Sequence, residues 1–481
     1  MSLQVLSPGT LRVNEKDRTA MKISLARTPI ALAMAGFAFA CAPAFGAGFQ
    51  LNESSASGLG NAFAGGAAAA EDASTLWSNP AGMSRLRTKQ LVGALHVITP
   101  SMKFNNEASV AASQQSMGGA GGDAGGPNYV PNLYFSMPIN QAWSFGVGFT
   151  APWGLVTDYE GGWAGRFQAV KSSIKTMNFN PAVSWKVANN SALGLGLNVQ
   201  RIEGEFTNNV NYSGALLSAA VAAGFAPGSP TFSAIAATTS GLESTAVIKG
   251  TDTGTGWNIG LLWDLDANSR LGLSYRSRVS YTLSGDAMFT NPVPASLPVL
   301  AQGLANAVNA QKLNNSGITS KVKIPDIVNI SYFRAMGSWD IMADAQWTGW
   351  SAIQDLTFVR DNGQTLINTP ENFKNVWKFA VGASWRPDSA WTLRGGLAHD
   401  QSPVQTEYRT ARLPDANKNW LTLGGQYKMS NAVKLDFGAA YLWVNRSQIN
   451  NNGGDPSGNG LLNGHYNSST WILSSQATWS F

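Results

Sequence analysis

Hydrophobic and polar residues alternate along most of this chain. Reading back from the terminus, Phe481, Trp479, Ala477, Leu473 and Trp471 share one parity, and Ser480, Thr478, Gln476, Ser474 and Thr470 share the other, with Ser475 and Ile472 as exceptions. Successive strand side chains point to opposite faces, so the segment predicts a strand with one apolar and one polar face. The pattern recurs upstream. Trp143, Phe145, Val147 and Phe149 alternate with Ser144, Gly146 and Gly148, and Trp257, Ile259, Leu261 and Trp263 with Asn258, Gly260 and Asp264. Leu271, Leu273, Tyr275, Val279 and Tyr281 alternate with Gly272, Ser274, Arg276, Arg278 and Ser280. Trp377, Phe379, Val381 and Trp385 alternate with Lys378, Gly382, Ser384 and Arg386, and Val433, Leu435, Phe437, Tyr441 and Trp443 with Lys434, Asp436 and Gly438. Lipid on one side and a wet lumen on the other select such paired parities.

The connections alternate as well. Short turns with hairpin chemistry stand at Asn140-Gln141, Ala188 to Asn190, Asp266 to Asn268, Met336 to Ser338, Pro387 to Ser389 and Ser430-Asn431. Longer polar or Gly-rich segments lie near 100–128, 155–172, 207–253, 289–320, 361–374, 401–417 and 446–468. Six short turns and seven long loops join fourteen strands, which predicts an all-β fold: a transmembrane antiparallel β-barrel over residues 88–481. The short turns and both termini are expected to face the periplasm.

Composition agrees with strands in lipid. Of 481 residues 44% are hydrophobic but only 13% charged, with 17 Trp and 51 Gly, against about 25% charged in a typical soluble domain. A soluble propeller or stacked sandwich would need more charge on its solvent face. The apolar run Pro29 to Ala47 follows Lys22 and Arg27 and ends in small residues, the layout of a secretory signal peptide. Cleavage is placed after Gly46, so residues 1–46 are the signal, and Met21 is a candidate start. The lone Cys41 lies inside it, and Ala38 stands where a lipoprotein signal prefers a Leu-like residue. Removing this segment takes away five Lys/Arg and two Asp/Glu, leaving 28 minus 26, or +2. The basic balance is therefore partly the signal's and no argument for nucleic acid.

The stretch 47–87 does not alternate. It is rich in Gly, Ala and Ser, yet carries Phe49, Leu51, Leu59, Phe63, Leu76 and Trp77, which a solvated tail would not need. Ser57 to Asp72 is expected to form a short helix. A fourteen-strand barrel is too wide for its own side chains to fill, so this segment is expected to plug the lumen as an N-terminal hatch. The third strand, Ala142 to about Thr157, contains Gly146, Gly148, Pro152 and Gly154. Pro lacks a ladder donor and Gly marks bends, so a kink is expected there, although the glycines alone would also ease curvature. Ala215 to Phe225, Phe232 to Leu242 and Pro294 to Ala310 gather apolar residues in loops, predicting a capture groove or a lid packed on itself, two compatible readings.

Ala47 with the following GFQLNE, Ser55 to Gly60, and Asn79-Pro80-Ala81-Gly82 resemble the N-terminal hatch of the FadL family of outer-membrane transporters for hydrophobic compounds. Further matches are Val130-Pro131-Asn132-Leu133, Pro138-Ile139-Asn140, Gly154-Leu155, Trp163 to Phe167 and Leu273-Ser274-Tyr275-Arg276-Ser277. Trp347-Thr348-Gly349-Trp350, Trp391-Thr392-Leu393-Arg394, Asp400 to Val404 and Leu413-Pro414-Asp415 extend the resemblance over 47–481. It implies passive uptake of long-chain fatty acids, or of aromatic hydrocarbons, through an external groove, a lumen pocket and a lateral opening at the strand 3 kink. It also implies that Asn79, Pro80, Ala81 and Gly82 form the gating element facing that opening; as a bare sequence, Asn-Pro reads equally as an ordinary turn. A carboxylate cargo would need a cation in the lumen, for which the polar parity offers Arg276, Arg278 and Lys378. Lys434 is expected to pair with Asp436, and Arg394 to be structural. Expected partners are the hydrophobic ligand, outer-membrane lipid and lipopolysaccharide, and the barrel-assembly machinery through Phe481, with the chain a monomer.

Competing functions find little support. His96, His399 and His465 have no nucleophile at an informative spacing, no GxSxG is present, and three isolated His suggest no metal site. No catalytic residue, metal or cofactor is assigned. A general porin needs an open lumen, which the plug opposes, and a purely adhesive barrel would leave the plug without purpose.

Overall fold

In the computed structural model, residues 48–291, 293 and 297–481 are described; the expected signal peptide and Cys41 lie outside them. The described chain contains twenty strand segments in one sheet. These are β1 (Gln90–Asn106), β2 (Asn128–Pro138), β3 (Trp143–Thr150), β4 (Gly154–Asp158), β5 (Lys171–Ala188), β6 (Ser191–Asn211) and β7 (Glu243–Asp264). β8 (Ser269–Arg276), β9 (Val279–Thr290), β10 (Ser316–Ile324), β11 (Ile327–Met336), β12 (Trp339–Thr348), β13 (Asp355–Arg360) and β14 (Thr365–Pro370) follow. The last are β15 (Val376–Trp385), β16 (Trp391–Asp400), β17 (Lys418–Lys428), β18 (Val433–Val444), β19 (Ser447–Asn451) and β20 (Leu462–Ser480). Six staves are broken in two (β3/β4, β8/β9, β10/β11, β12/β13, β14/β15 and β18/β19), so twenty segments form fourteen staves. Antiparallel pairing of β1 with β20, from Gln90↔Ser480 to Asn106↔Gly464, closes the barrel. All six short turns stand where the sequence places them.

Alternation sorts side chains as expected. On β20, Trp471, Leu473 and Trp479 point outward, while Ile472, Ser474, Gln476 and Thr478 are buried inward. Stacked pairs Trp143–Trp185 and Trp339–Trp385, with ring centroids 5.6 and 5.7 Å apart, stand at the short-turn end. Trp257, Trp377, Trp443 and Trp471 form the upper girdle. Trp377 and Trp385 on β15 lie eight residues apart, about 27 Å along a strand and roughly 20 Å of thickness at a tilt near 40°.

The broken staves change parity, and the sequence conceals this. Along β8 the even positions face inward; across Ser277-Arg278 the phase slips by one, and Val279, Tyr281 and Leu283 of β9 are buried inside. Val279 and Tyr281 are therefore not lipid-facing, contrary to the alternation, because a one-residue slip exchanges the faces of everything beyond it. The same exchange occurs between β3 and β4, across Pro325-Asp326 between β10 and β11, and between β18 and β19. The upper lumen thereby gains the apolar side chains that the lower lumen excludes.

Above the barrel, three helices, Tyr212–Ala222, Pro230–Thr239 and Val299–Gln311, pack on each other through Tyr212, Leu216, Ile235, Leu304 and Val308. The apolar loops thus form a self-packed lid, with Val299 and Leu300 still exposed.

Candidate functional site

Residues 48–87 contact inward-facing positions all around the barrel. The expected helix Ser57–Asp72 is shorter, Ala56–Gly60, capped by Ser55, with turns of left-handed backbone at Ala62, Phe63, Gly65 and Ala70 beyond it. The close fit comes from glycines on the inward parity of seven staves. A Cβ at Gly194, Gly260 or Gly272 would stand 2.2, 1.8 or 2.0 Å from Ala81 N, Asn79 Oδ1 or Ala67 O. On the opposite side a Cβ at Gly382, Gly396, Gly424 or Gly438 would stand 2.8, 2.4, 2.7 or 3.1 Å from Asn61, Asn61, Gly60 or Ala56. Only a missing side chain lets two backbones approach so far.

Polar contacts fix the hatch. Arg394, 2% exposed, donates to Asp436 on β18 and to Glu71 of the hatch, each at 2.7 Å. Asp436 is therefore paired with Arg394, not with the expected Lys434. Gln476 donates to Asp72 at 2.9 Å and accepts from the Ala56 amide at 3.0 Å.

The third stave is interrupted at residues 151–153. β3 pairs with β2 up to Leu133↔Phe149, whereas β4 pairs only with β5. Asn128 to Asn132 of β2 consequently have no ladder partner on that side, which leaves a window in the wall. Gly146 and Gly148 lie below it on the inward parity, against Leu76 and Met83; Pro152 and Gly154 form its edge. The hatch's first residues occupy this edge: Leu51 N donates to Pro152 O and Gly154 N to Phe49 O, both at 2.9 Å. Asn132 Nδ2 and Tyr134 OH donate to the carbonyls of Glu53 and Ser54 at 2.8 and 2.9 Å.

Asn79, Pro80, Ala81 and Gly82 pack chiefly on β5, β6 and β7. Asn79 caps the 3-10 turn Pro80–Arg85 and donates to Leu261 O of β7 at 3.0 Å, while Ala81 accepts from Ser184 of β5 at 3.1 Å. Gly194 of β6 and Gly260 of β7 leave room for this turn against the wall.

Among the described residues, two cavities lie between the hatch and the wall and above it. The lower lies between hatch and wall and brings Arg276 and Lys378 together with Asp344, Glu71 and Trp77. Arg276 sits 3.5 Å over the Trp77 ring and donates to Trp77 O at 2.8 Å; Lys378 Nζ sits 4.6 Å over Trp420. Both cations are engaged by the hatch or its surroundings. Arg278 is elsewhere: at the break between β8 and β9 it is 40% exposed and pairs with Asp326 at 3.0 Å.

The upper cavity is apolar. Leu155 of β4, Ile174 of β5, Ile202 and Phe206 of β6, Leu283 of β9 and Val322 of β10 line it, with Phe49, Ile353, Leu356, Phe373 and Leu413 completing the surface. Phe49 closes its lower side, edge-on to Trp350 at 4.9 Å and to Trp153 at 6.0 Å. Leu155 stands at the window. Two ionisable side chains reach this cavity, Arg412 and Glu371. Arg412 is held by Ser172 Oγ at 3.2 Å and Asn208 Oδ1 at 3.1 Å, and burial lowers it to about 10. Burial pushes the Glu371 carboxyl up to about 8, against the pull of Arg412. Sequence reasoning missed both residues and the cavity. The available signal was the surplus of apolar residues on both parities beyond each break.

Residues 37–481 match the family described as "Outer membrane protein transport protein (OMPP1/FadL/TodX)". The long-chain fatty acid transport protein of Escherichia coli K12 is 31% identical over 437 residues, 88% of this chain and 93% of that one. Among solved structures, a Pseudomonas aeruginosa FadL homologue superposes with a TM-score of 0.79 at 24% identity, covering 90% of this chain and 100% of that one. The Pseudomonas putida toluene transporter TodX superposes with a TM-score of 0.63 at 17% identity, covering 91% of this chain and 100% of that one; these two likenesses speak for the fold alone. Closed barrel, lipid-facing girdles and full-length match together make this chain a Gram-negative outer-membrane member of the OMPP1/FadL/TodX transport family.

Proposed function

We propose that this protein carries long-chain fatty acids across the outer membrane by passive diffusion. The observation that carries the reading is the apolar upper cavity with a cation, Arg412, on its surface. An acyl chain buried there gains about 25 cal/mol per Å² of apolar surface removed from water, and a carboxylate finds a charged donor. The exposed apolar side chains of the helical lid, Val299 and Leu300, offer a first contact for cargo arriving through the polar sugar layer. From the cavity the path runs past Phe49 and Leu155 to the window beside β4 and so into lipid. In the resting arrangement the segment Gly48 to Ser54 covers that edge, so cargo passage requires its displacement. Gating thus belongs to this segment, while Asn79, Pro80, Ala81 and Gly82 serve as its fixed anchor. Gly146, Gly148, Pro152 and Gly154 keep the window, the first two by leaving room for Leu76 and Met83 and the last two by ending the ladder. Arg276 and Lys378 then hold the hatch side of the lumen, and Arg278 stands outside the path.

Aromatic hydrocarbons remain the second cargo class, because most of the lining would suit them equally; the cation Arg412 favours an acid. The chain is proposed to act as a monomer, with lipopolysaccharide as its outer neighbour. Phe481, 65% exposed, is the proposed recognition element for barrel assembly.

Bridging the window tests the path. The mature region 47–481 contains no Cys, so cysteines at Pro131 and Val156 joined by a short bis-maleimide are site-specific. Uptake of radiolabelled oleate should fall by about tenfold or more, while occupancy of the cavity is retained, since strand edges once tied no longer part. Undiminished uptake across the bridged wall would reject the lateral route.

A further inference from the structure

The upper cavity contains a buried acid for which transport of a neutral molecule has no use. Glu371 is 7% exposed, sits in the short connection between β14 and β15, and lines the cavity. Its carboxyl group makes no hydrogen bond or ion pair among the described residues. The other elements packed against the cavity present apolar groups: Phe49 from the hatch, Leu155 from β4, Ile202 from β6, Leu283 from β9, Val322 from β10 and Ile353 beyond β12. The one charged group facing Glu371 from any of them is Arg412, which β5 and β6 hold through Ser172 and Asn208.

Resting on the cavity reading above, we propose that Glu371 couples the binding of an anionic head group to one proton. The cavity takes a carboxylate or sulfonate at Arg412 only while Glu371 is protonated, and takes neutral hydrocarbon whatever the state of Glu371. The physical reason is charge count. With Glu371 protonated, Arg412 leaves the cavity one positive charge, and an anionic head group neutralises it. With Glu371 ionised, Arg412 is already compensated, and a second anion would meet a like charge in a medium where such repulsion is strong. Arg412 keeps its proton at neutral pH, and burial holds Glu371 protonated up to about pH 8. Anion affinity is therefore full below that pH and falls above it, by about tenfold per pH unit once Glu371 is ionised.

The test is calorimetry on the full chain in lipid nanodiscs, with empty nanodiscs as blank. The probes are dodecanesulfonate, which stays ionised throughout, and dodecanol, which stays neutral. Between about pH 6.5 and about pH 9.5, dodecanesulfonate affinity for the wild type should fall about thirtyfold. Dodecanol affinity should stay constant. Glu371→Gln should bind dodecanesulfonate with a flat profile, and Arg412→Gln should lose it while keeping dodecanol. A flat wild-type profile, a parallel fall for dodecanol, or the same fall in Glu371→Gln would each overturn the proposal. If Glu371→Gln fails to fold, the wild-type profile alone decides. Ile202→Trp separates this proposal from its premise. If that substitution leaves dodecanesulfonate binding intact, the cavity itself is misassigned; if it blocks binding while the wild-type profile is flat, only the role of Glu371 falls.

Discussion

Replacing Ile202 by Trp should nearly abolish fatty-acid uptake while leaving the barrel closed. Ile202 is 2% exposed and points from β6 into the apolar cavity between Phe206 and Leu155. An indole there takes the space an acyl chain needs. The cargo must then overpack a filled site at about 1–3 kcal/mol, or roughly 5- to 150-fold in occupancy. The ladder is unaffected, since β6 keeps Ile202 paired with Thr176 and Asp252 through backbone groups alone. Oleate uptake by cells expressing the variant, with heat-modifiable gel mobility as the measure of folding, gives the result. Normal uptake by a folded variant would mean that cargo travels elsewhere.

Arg394→Met should release the hatch. The guanidinium is the sole link shown between Glu71 and Asp436, and Asp436 is fully buried. Removing one partner of such a pair leaves an uncompensated carboxylate and costs about 3–5 kcal/mol, whereas replacing the whole set by apolar groups costs far less. Much of that cost falls on hatch docking, because Glu71 belongs to the hatch and Asp436 to the wall. Single-channel recordings should show frequent openings absent from the wild type, and protease added from the periplasmic side should cut within 48–87. The triple change Glu71→Met, Arg394→Met, Asp436→Leu should restore much of the quiet state. Recordings as silent as wild type would place the latch in the glycine contacts instead.

The barrel was legible because lipid imposes its demand residue by residue. Each stave must show apolar atoms to the bilayer, so alternation reports both the strand and its face. Hairpin turns were equally legible, since Asn, Asp, Gly and Pro act locally. The collar of inward glycines, such as Gly260, Gly272, Gly382 and Gly438, was visible as parity, although its partners were not. Breaks were harder. Alternation is blind to a phase slip, so Val279 and Tyr281 read as lipid-facing when the Ser277-Arg278 interruption turns them inward. The same blindness hid the upper cavity, whose lining is apolar on the parity expected to be wet. Arg412 and Glu371 lie in loops, where spacing carries no geometric message and only tertiary structure brings them to one space. Asn79-Pro80 marks a real turn, but which stave it meets depends on the wall glycines and not on the turn.

The account depends most on cargo occupying the upper apolar cavity, and a photoreactive fatty acid tests this directly. A palmitate bearing a diazirine in its tail, loaded in nanodiscs, irradiated and mapped by peptide mass spectrometry, should label Phe49, Leu155, Ile202, Leu283 and Phe373. Labelling confined to Trp77, Arg276 and Lys378 around the lower cavity, or to the outer lipid face, would contradict it.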